Sequence, residues 1–173
     1  MYKRQYLDSK QQTYPLEHPV LILFQWDTKN DIALVLIRVQ GALKIVEYNL
    51  DNMELNEAAD QKALWALKSD DGRFIYKDRL KQFWQPGPVE PQLIKPLKQQ
   101  GGKAKSFVIN GNTIYDINDA NQLWSFDLNT QTFQVIGKVT DAVDNLSDIN
   151  QEQLLMTIQV SAKKEVVELT TSE

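Results

Sequence analysis

The stretch QLWSFDLNTQTFQVIGKV, residues 122–139, reads as two short strands around a polar turn, Asn129-Thr130-Gln131. Roughly eighty residues earlier, LKIVEYNLDNMELNEAA (43–59) has the same plan: an apolar-rich strand, an Asn/Asp turn and a second short strand. One such hairpin belongs to any β domain. Two with matching order raise the question of a repeat, and the answer decides the fold.

Working outward, strands dominate. VLILFQW (20–26) and IALVLIRV (32–39) are apolar runs of strand length, separated by the turn formers DTKND. Gln40-Gly41 closes the next hairpin, followed by LKIVEYNL (43–50) and ELNEA (54–58). The second group is KALWALK (62–68), an Asp-Gly turn, RFIYK (73–77), KQFWQ (81–85), a loop with Pro86, Pro88 and Pro91, and QLIKPL (92–97). The third is KSFVI (105–109), NTIYDI (112–117), QLWSFDL (122–128) and TFQVIGKV (132–139). The last has three strands, VDNLSDI (143–149), QLLMTIQV (153–160) and EVVELT (165–170). A helix over 55–68 is the competing reading of LNEAADQKALWALK, but its capping signals are weak.

The spacings carry the repeat. Tyr76 and Tyr115 are 39 apart, and Trp84 and Trp124 are 40 apart. Tyr48-Asn49-Leu50 aligns with Phe126-Asp127-Leu128 at 78. Val166-Val167-Glu168-Leu169 follows Leu123-Trp124-Ser125-Phe126 by 43. Four strands recurring every forty-odd residues are the signature of propeller blades, which bury their faces only by stacking on one another. The chain is therefore expected to be all-β: one repeat domain over 1–173, with four-stranded meander blades at 19–59, 62–97, 105–139 and 143–170. An irregular β-sandwich is the alternative. The fourth blade lacks a strand, so either residues 2–7, YKRQYL, close it or the propeller is incomplete. An incomplete propeller exposes apolar faces, which predicts a protein partner or self-association.

Composition narrows the function. The chain has 173 residues, 42% of them hydrophobic and 24% charged, and a net charge of -4. No Lys/Arg run is present to neutralise a row of phosphates, which argues against nucleic-acid binding. There is no Cys, so thiolate chemistry and Cys-ligated zinc are excluded. PVLILFQW is far shorter than the roughly 20 apolar residues of a membrane span, and MYKRQYLDSK is not followed by the apolar core of a secretory signal.

Two segments resemble known proteins. WALKSDDGRFIY (65–76), a tryptophan followed by an Asp-Gly turn and an apolar pair, is similar to the signature of TolB-like propeller blades. LSDINQEQLLMTIQVSAKKEVVELT (146–170) resembles the final blade of ToxR/CadC-like bacterial regulators. Those regulators join a cytoplasmic winged helix, through one transmembrane helix, to a periplasmic propeller-like sensor. The resemblance covers roughly residues 62–173 and implies a periplasmic sensory end, held to the membrane only through an upstream helix. It transfers no ligand contact and implies no cofactor; the signal, if a small molecule, is not named by it.

Catalytic chemistry finds little footing. His18 is the single histidine and sits before Pro19, where a turn or edge role outweighs catalysis or metal binding. Asp116, Asp119 and Asp127 cluster in sequence, but carboxylates beside strand ends usually hold turn N–H groups. Asp116-Ile117-Asn118-Asp119 is too short for a calcium loop. Ser69, Ser106, Ser125 and Ser147 lie in no nucleophile context, and neither GNTIY nor QQGGK has phosphate-loop spacing. Trp26, Trp65, Trp84 and Trp124 read as packing between blades, except that Trp84 precedes the rigid QPGPVEP loop and is the candidate partner contact. These residues carry no catalytic signature, and the resemblance implies a non-enzymatic sensory or protein-interaction domain, with a TolB-like scaffold propeller as the alternative and a propeller hydrolase behind both.

Overall fold

A computed structural model describes residues 17–59, 63–140, 142–150, 153–160 and 163–170. The closing strand expected over 2–7 lies outside them. Fifteen strands and one 3-10 turn account for the described secondary structure. The first sheet is β1 (Val20–Asp27), β2 (Ile32–Val39), β3 (Ala42–Asn49) and β4 (Leu55–Ala59). The second is β5 (Ala63–Lys68), β6 (Phe74–Asp78), β7 (Phe83–Gln85) and β8 (Gln92–Leu93). The third is β9 (Val108–Asn110), β10 (Thr113–Ile117), β11 (Gln122–Asp127) and β12 (Thr132–Lys138). The fourth is β13 (Val143–Asn150), β14 (Gln153–Val160) and β15 (Lys163–Thr170). Each sheet runs in chain order with every neighbour paired, so no strand is exchanged between sheets. Four separate small meanders are blades rather than the two packed layers of the irregular β-sandwich considered as the alternative.

Local chemistry explains the hairpins. Gln40 and Gly41 take φ of 48° and 85°, the positive pair of a two-residue I′ turn, and Val39 faces Ala42 across it. At three other turns a strand-ending Asp or Asn accepts two N–H groups from the residues that follow. Asp27 takes Lys29 and Asn30, Asn49 takes Asp51 and Asn52, and Asp127 takes Asn129 and Thr130. The 78-residue alignment holds in detail: Leu50 and Leu128 each donate their N–H back to a turn carbonyl, of Asp31 and Asn112.

The strands read over 54–58 and 62–68 are present as β4 and β5, on either side of 60–62, which are outside the described residues, so the competing helix over 55–68 is set aside. Two readings are corrected. QLIKPL is not a strand to residue 97: Lys95–Leu97 is a 3-10 turn, because Pro96 has no N–H to offer a ladder. The 39-residue pairing of Tyr76 with Tyr115 is off by one. Trp84 lies opposite Tyr76, but Trp124 lies opposite Asp116. The repeat is therefore 40. Asp78 and Asn118 confirm it, each accepting N–H groups from two and four residues ahead (Leu80 and Gln82; Ala120 and Gln122), and Lys81 and Asn121 share positive φ at 63° and 58°. A one-residue slip turns a strand side chain to the other face. Tyr115 accordingly faces away from Trp124.

The chain divides into two compact units, one ending at Ala66 and the other beginning at Leu67. In the first unit, Val20, Ala33, Val35, Ile37, Val46, Tyr48 and Leu50 form a core against the first sheet. Phe24 meets Trp65 edge-on, ring centroids 5.1 Å apart. In the second unit, side chains alternate by face. Lys77 and Phe83 of the second sheet meet Asp116 and Trp124 of the third, while Ile117 and Leu123 on the third sheet's other face join Leu146, Leu154, Met156 and Ile158 of the fourth. Ser106 joins the same two sheets, its hydroxyl donating to Asn145 Oδ1 (3.0 Å) and accepting the Leu146 N–H (2.7 Å).

Candidate functional site

The second unit holds a sealed polar centre. Lys77 is in β6 and Asp116 in β10, and their side chains are 1% and 0% exposed. Lys77 Nζ donates to Asp116 Oδ2 at 2.6 Å and to the Ala104 carbonyl at 2.8 Å, and lies 5.6 Å from the Phe83 ring centroid. Asp116 Oδ1 accepts the Ile117 N–H at 2.8 Å, and the Gly102 N–H also bonds the carboxylate. The Gly101-Gly102 pair makes this approach possible. A Cβ on Gly101 would collide with the Lys81 carbonyl, and one on Gly102 with the Ile117 carbonyl. Burial pushes the Asp116 carboxyl up to about 6, against the opposing pull of the Lys77 ammonium.

Around this pair the aromatic rings close the seam. Phe83 packs edge-on to Phe107 and Trp124, with centroids 5.2 and 5.5 Å away. Trp124 is fully buried and donates its indole N–H to the Gln100 carbonyl at 2.9 Å. A perturbed carboxyl beside an ammonium would suit acid–base work in a cleft. Here no substrate can reach it, and the arrangement is structural. Beside it is a cavity of about 10 Å³ lined by Lys103, Ala104, Ile117, Asn118, Asp119, Asn121 and Val143, space for about one water.

The candidate carboxylates do not converge. Asp116 is in the seam, Asp119 is on an exposed turn paired with Lys81 at 3.0 Å, and Asp127 holds the next turn's N–H groups. The turn role expected for such residues describes Asp127 but not Asp116, whose ion pair the sequence reading missed. The signal was faint: Lys77 shares its face with Ile75 and, just before β6, Arg73, a set that reads as the solvent side, while Phe74 and Tyr76 mark the other face as apolar. His18 lies half-buried in a bend before β1. Among the described residues no three His, Asp or Glu side chains group as metal ligands.

Trp84 is half-buried on the face of the second sheet opposite Lys77 and Phe83. Its ring stacks on Tyr76 at 6.3 Å and 10°, and its indole N–H donates to Asp78 Oδ2 at 2.8 Å. The loop beyond it is tightly folded, since a Cβ on Gly87 would collide with the Glu90 carbonyl, and its tip residue Val89 is 97% exposed. At the same end, Arg73 ties the sheets together. It donates to the Leu128 carbonyl at 2.7 Å, to Asn129 Oδ1 and to both oxygens of Asp71. The guanidinium holds the Asp71 carboxyl well below the usual carboxylate range.

No protein-family model matches the chain, and no curated protein matches it. Solved structures do. TolB from Acinetobacter baumannii is similar at 12% identity with a TM-score of 0.58, over 92% of this chain and 42% of that one. The N-terminal domain of Nup159 is similar at 13% identity with a TM-score of 0.51, over 90% of this chain and 46% of that one. The chain thus has a TolB-like β-propeller fold, built from four blade-like sheets. It spans less than half the length of either structure.

Proposed function

We propose that this chain is a non-enzymatic protein-interaction module, and that it forms the extracytoplasmic sensory part of a membrane-spanning transcriptional regulator. The observation carrying the first half is the filled seam between the second and third sheets: its buried acid, Asp116, is closed off by Lys77, Phe83 and Trp124. Binding at the surface is what such a body offers. Likeness to TolB and to the Nup159 N-terminal domain supports the propeller fold that would present this surface. Trp84 is the contact assigned to a partner, because Asp78 and Tyr76 hold its ring in one orientation before any partner arrives, which lowers the entropic cost of binding. A signal would act by shifting an existing equilibrium of self-association or partner contact.

The regulator half rests on the resemblance of residues 62–173 and is tested in cells. The chain has no Cys, so Val89→Cys in the exposed loop is a single reactive thiol within it. A membrane-impermeant maleimide is expected to label it in intact cells of the host, relative to the unsubstituted protein; labelling only after lysis would contradict an extracytoplasmic location. A winged helix and one apolar span upstream in the reading frame distinguish the regulator from the second reading, a TolB-like scaffold that the fold likeness favours. Turnover of ester, glycoside or phosphate substrates that is lost on replacing Asp116 or Asp119 would overturn both.

A further inference from the structure

The charges of this acidic chain are segregated. Residues 79–105 contain six Lys/Arg and one acid, Glu90, although the chain as a whole carries -4. Glu90 sits in the loop beyond the far end of β7, away from the β6–β7 turn. The cations are spread along the sequence, but the fold gathers them. The β6–β7 turn, the 98–103 segment and the β10–β11 turn meet at one end of the second and third sheets. Lys81 pairs with Asp119 at 3.0 Å, Asn118 Nδ2 donates to Gln100 Oε1 at 3.2 Å, and Gly101 packs on the Lys81 carbonyl. Lys103 lines the small cavity beside Asn118 and Asn121. The Val139 N–H donates to the Asn121 carbonyl at 2.8 Å, which brings Lys138 to the same end. Arg79, Lys98, Lys103 and Lys138 are all exposed there. Among the described residues of the β6–β7 turn, the 98–103 segment and the β10–β11 turn, Asp119 is the exposed acid, and Lys81 takes it up.

At the tip of the β6–β7 turn stands Leu80, 77% exposed between Arg79 and Lys81. It does not fold back, because its N–H is held by Asp78 Oδ1 at 2.8 Å, as is that of Gln82 at 2.9 Å. A protruding apolar side chain at an end of the sheets that carries exposed cations is the arrangement that suits the boundary between headgroups and acyl chains, with anionic headgroups taking the cations.

We propose that this end of the second and third sheets is a docking surface for an anionic lipid bilayer. The proposal does not depend on the regulator reading, since it rests on the charge distribution and Leu80 alone.

The test is co-sedimentation of the 173-residue chain with vesicles of equal parts phosphatidylglycerol and phosphatidylcholine, and with phosphatidylcholine alone. Binding is expected to the anionic vesicles at low salt, and is expected to be lost near 1 M salt, where the screening length is about 3 Å. Lys98→Glu/Lys103→Glu should weaken it by at least about 25-fold, at about fivefold per cation. Leu80→Ser should weaken it about tenfold while leaving the thermal unfolding unchanged. Equal binding to both vesicles, no binding to either, or binding unmoved by these substitutions would overturn the proposal. So would capture of poly-glutamate or DNA without capture of anionic vesicles, which would make the patch a site for an acidic protein or a nucleic acid.

Discussion

The Lys77–Asp116 pair allows a quantitative test. Opposite charges 2.6 Å apart would ordinarily depress a carboxyl's pKa, yet Asp116 is raised from 3.8 to about 6. Desolvation therefore outweighs attraction. The difference corresponds to about 3 kcal/mol, at about 1.4 kcal/mol per unit. The sign follows from proton binding: between the two values the folded protein holds a proton that the unfolded chain has released. This contribution to stability is present in full below about 3.8 and is lost as pH rises through about 6. Urea unfolding followed by tryptophan fluorescence should thus show stability falling by about 2 kcal/mol between pH 4 and pH 7, since part of the contribution is already lost at pH 4. Lys77→Met strands the carboxylate and should cost about 3–5 kcal/mol at pH 7, with the cost shrinking on acidification. Lys77→Met/Asp116→Asn removes both charges and keeps an oxygen for the Ile117 N–H. It should recover to within about 1 kcal/mol of the parent or exceed it at pH 7, with a flat profile between pH 4 and 7. A double variant no more stable than Lys77→Met, or a parent whose stability is constant over that range, would refute the reasoning.

Other outcomes follow from single contacts. Gly87→Ala drives a methyl into the Glu90 carbonyl and should cost about 1–3 kcal/mol in thermal unfolding. Arg73→Ala frees the Leu128 carbonyl and Asn129, costing about 1.5–3 kcal/mol, and an NMR titration should show the Asp71 carboxyl moving back up toward its ordinary value. Asp71 and Asp127 are held low by their hydrogen bonds, so their contribution to stability is present above the ordinary carboxylate value and is lost on further acidification. Trp124→Ala removes a fully buried ring and should cost about 3–5 kcal/mol.

Much of this architecture was legible from residues. IALVLIRV coincides with β2, and the apolar runs at 20–26 and 153–160 fall on β1 and β14, because period and turn chemistry agree there. The 78-residue alignment survived because Asn49 and Asp127 do the same work in the same turn. The tyrosine spacing failed because similar side chains were matched without the register, and one residue changes the face. The Lys77–Asp116 pair was hidden because a lysine in a strand ordinarily reads as a solvent-facing residue; its burial depends on a partner 39 positions away and on two glycines between them. The basic end was hidden for a related reason. Its cations form no run, and only the meeting of three turns assembles them.

The stacking of the second and third sheets through Phe83 and Trp124 is the claim on which the rest depends. Indole hydrogen exchange and NOE spectroscopy test it together. The Trp124 Nε1–H, fully buried and bonded to the Gln100 carbonyl, should exchange only on global unfolding, and its ring should show NOEs to Phe83 and Phe133. A Trp124 indole that exchanges freely in the native state and shows no contact with Phe83 would contradict it.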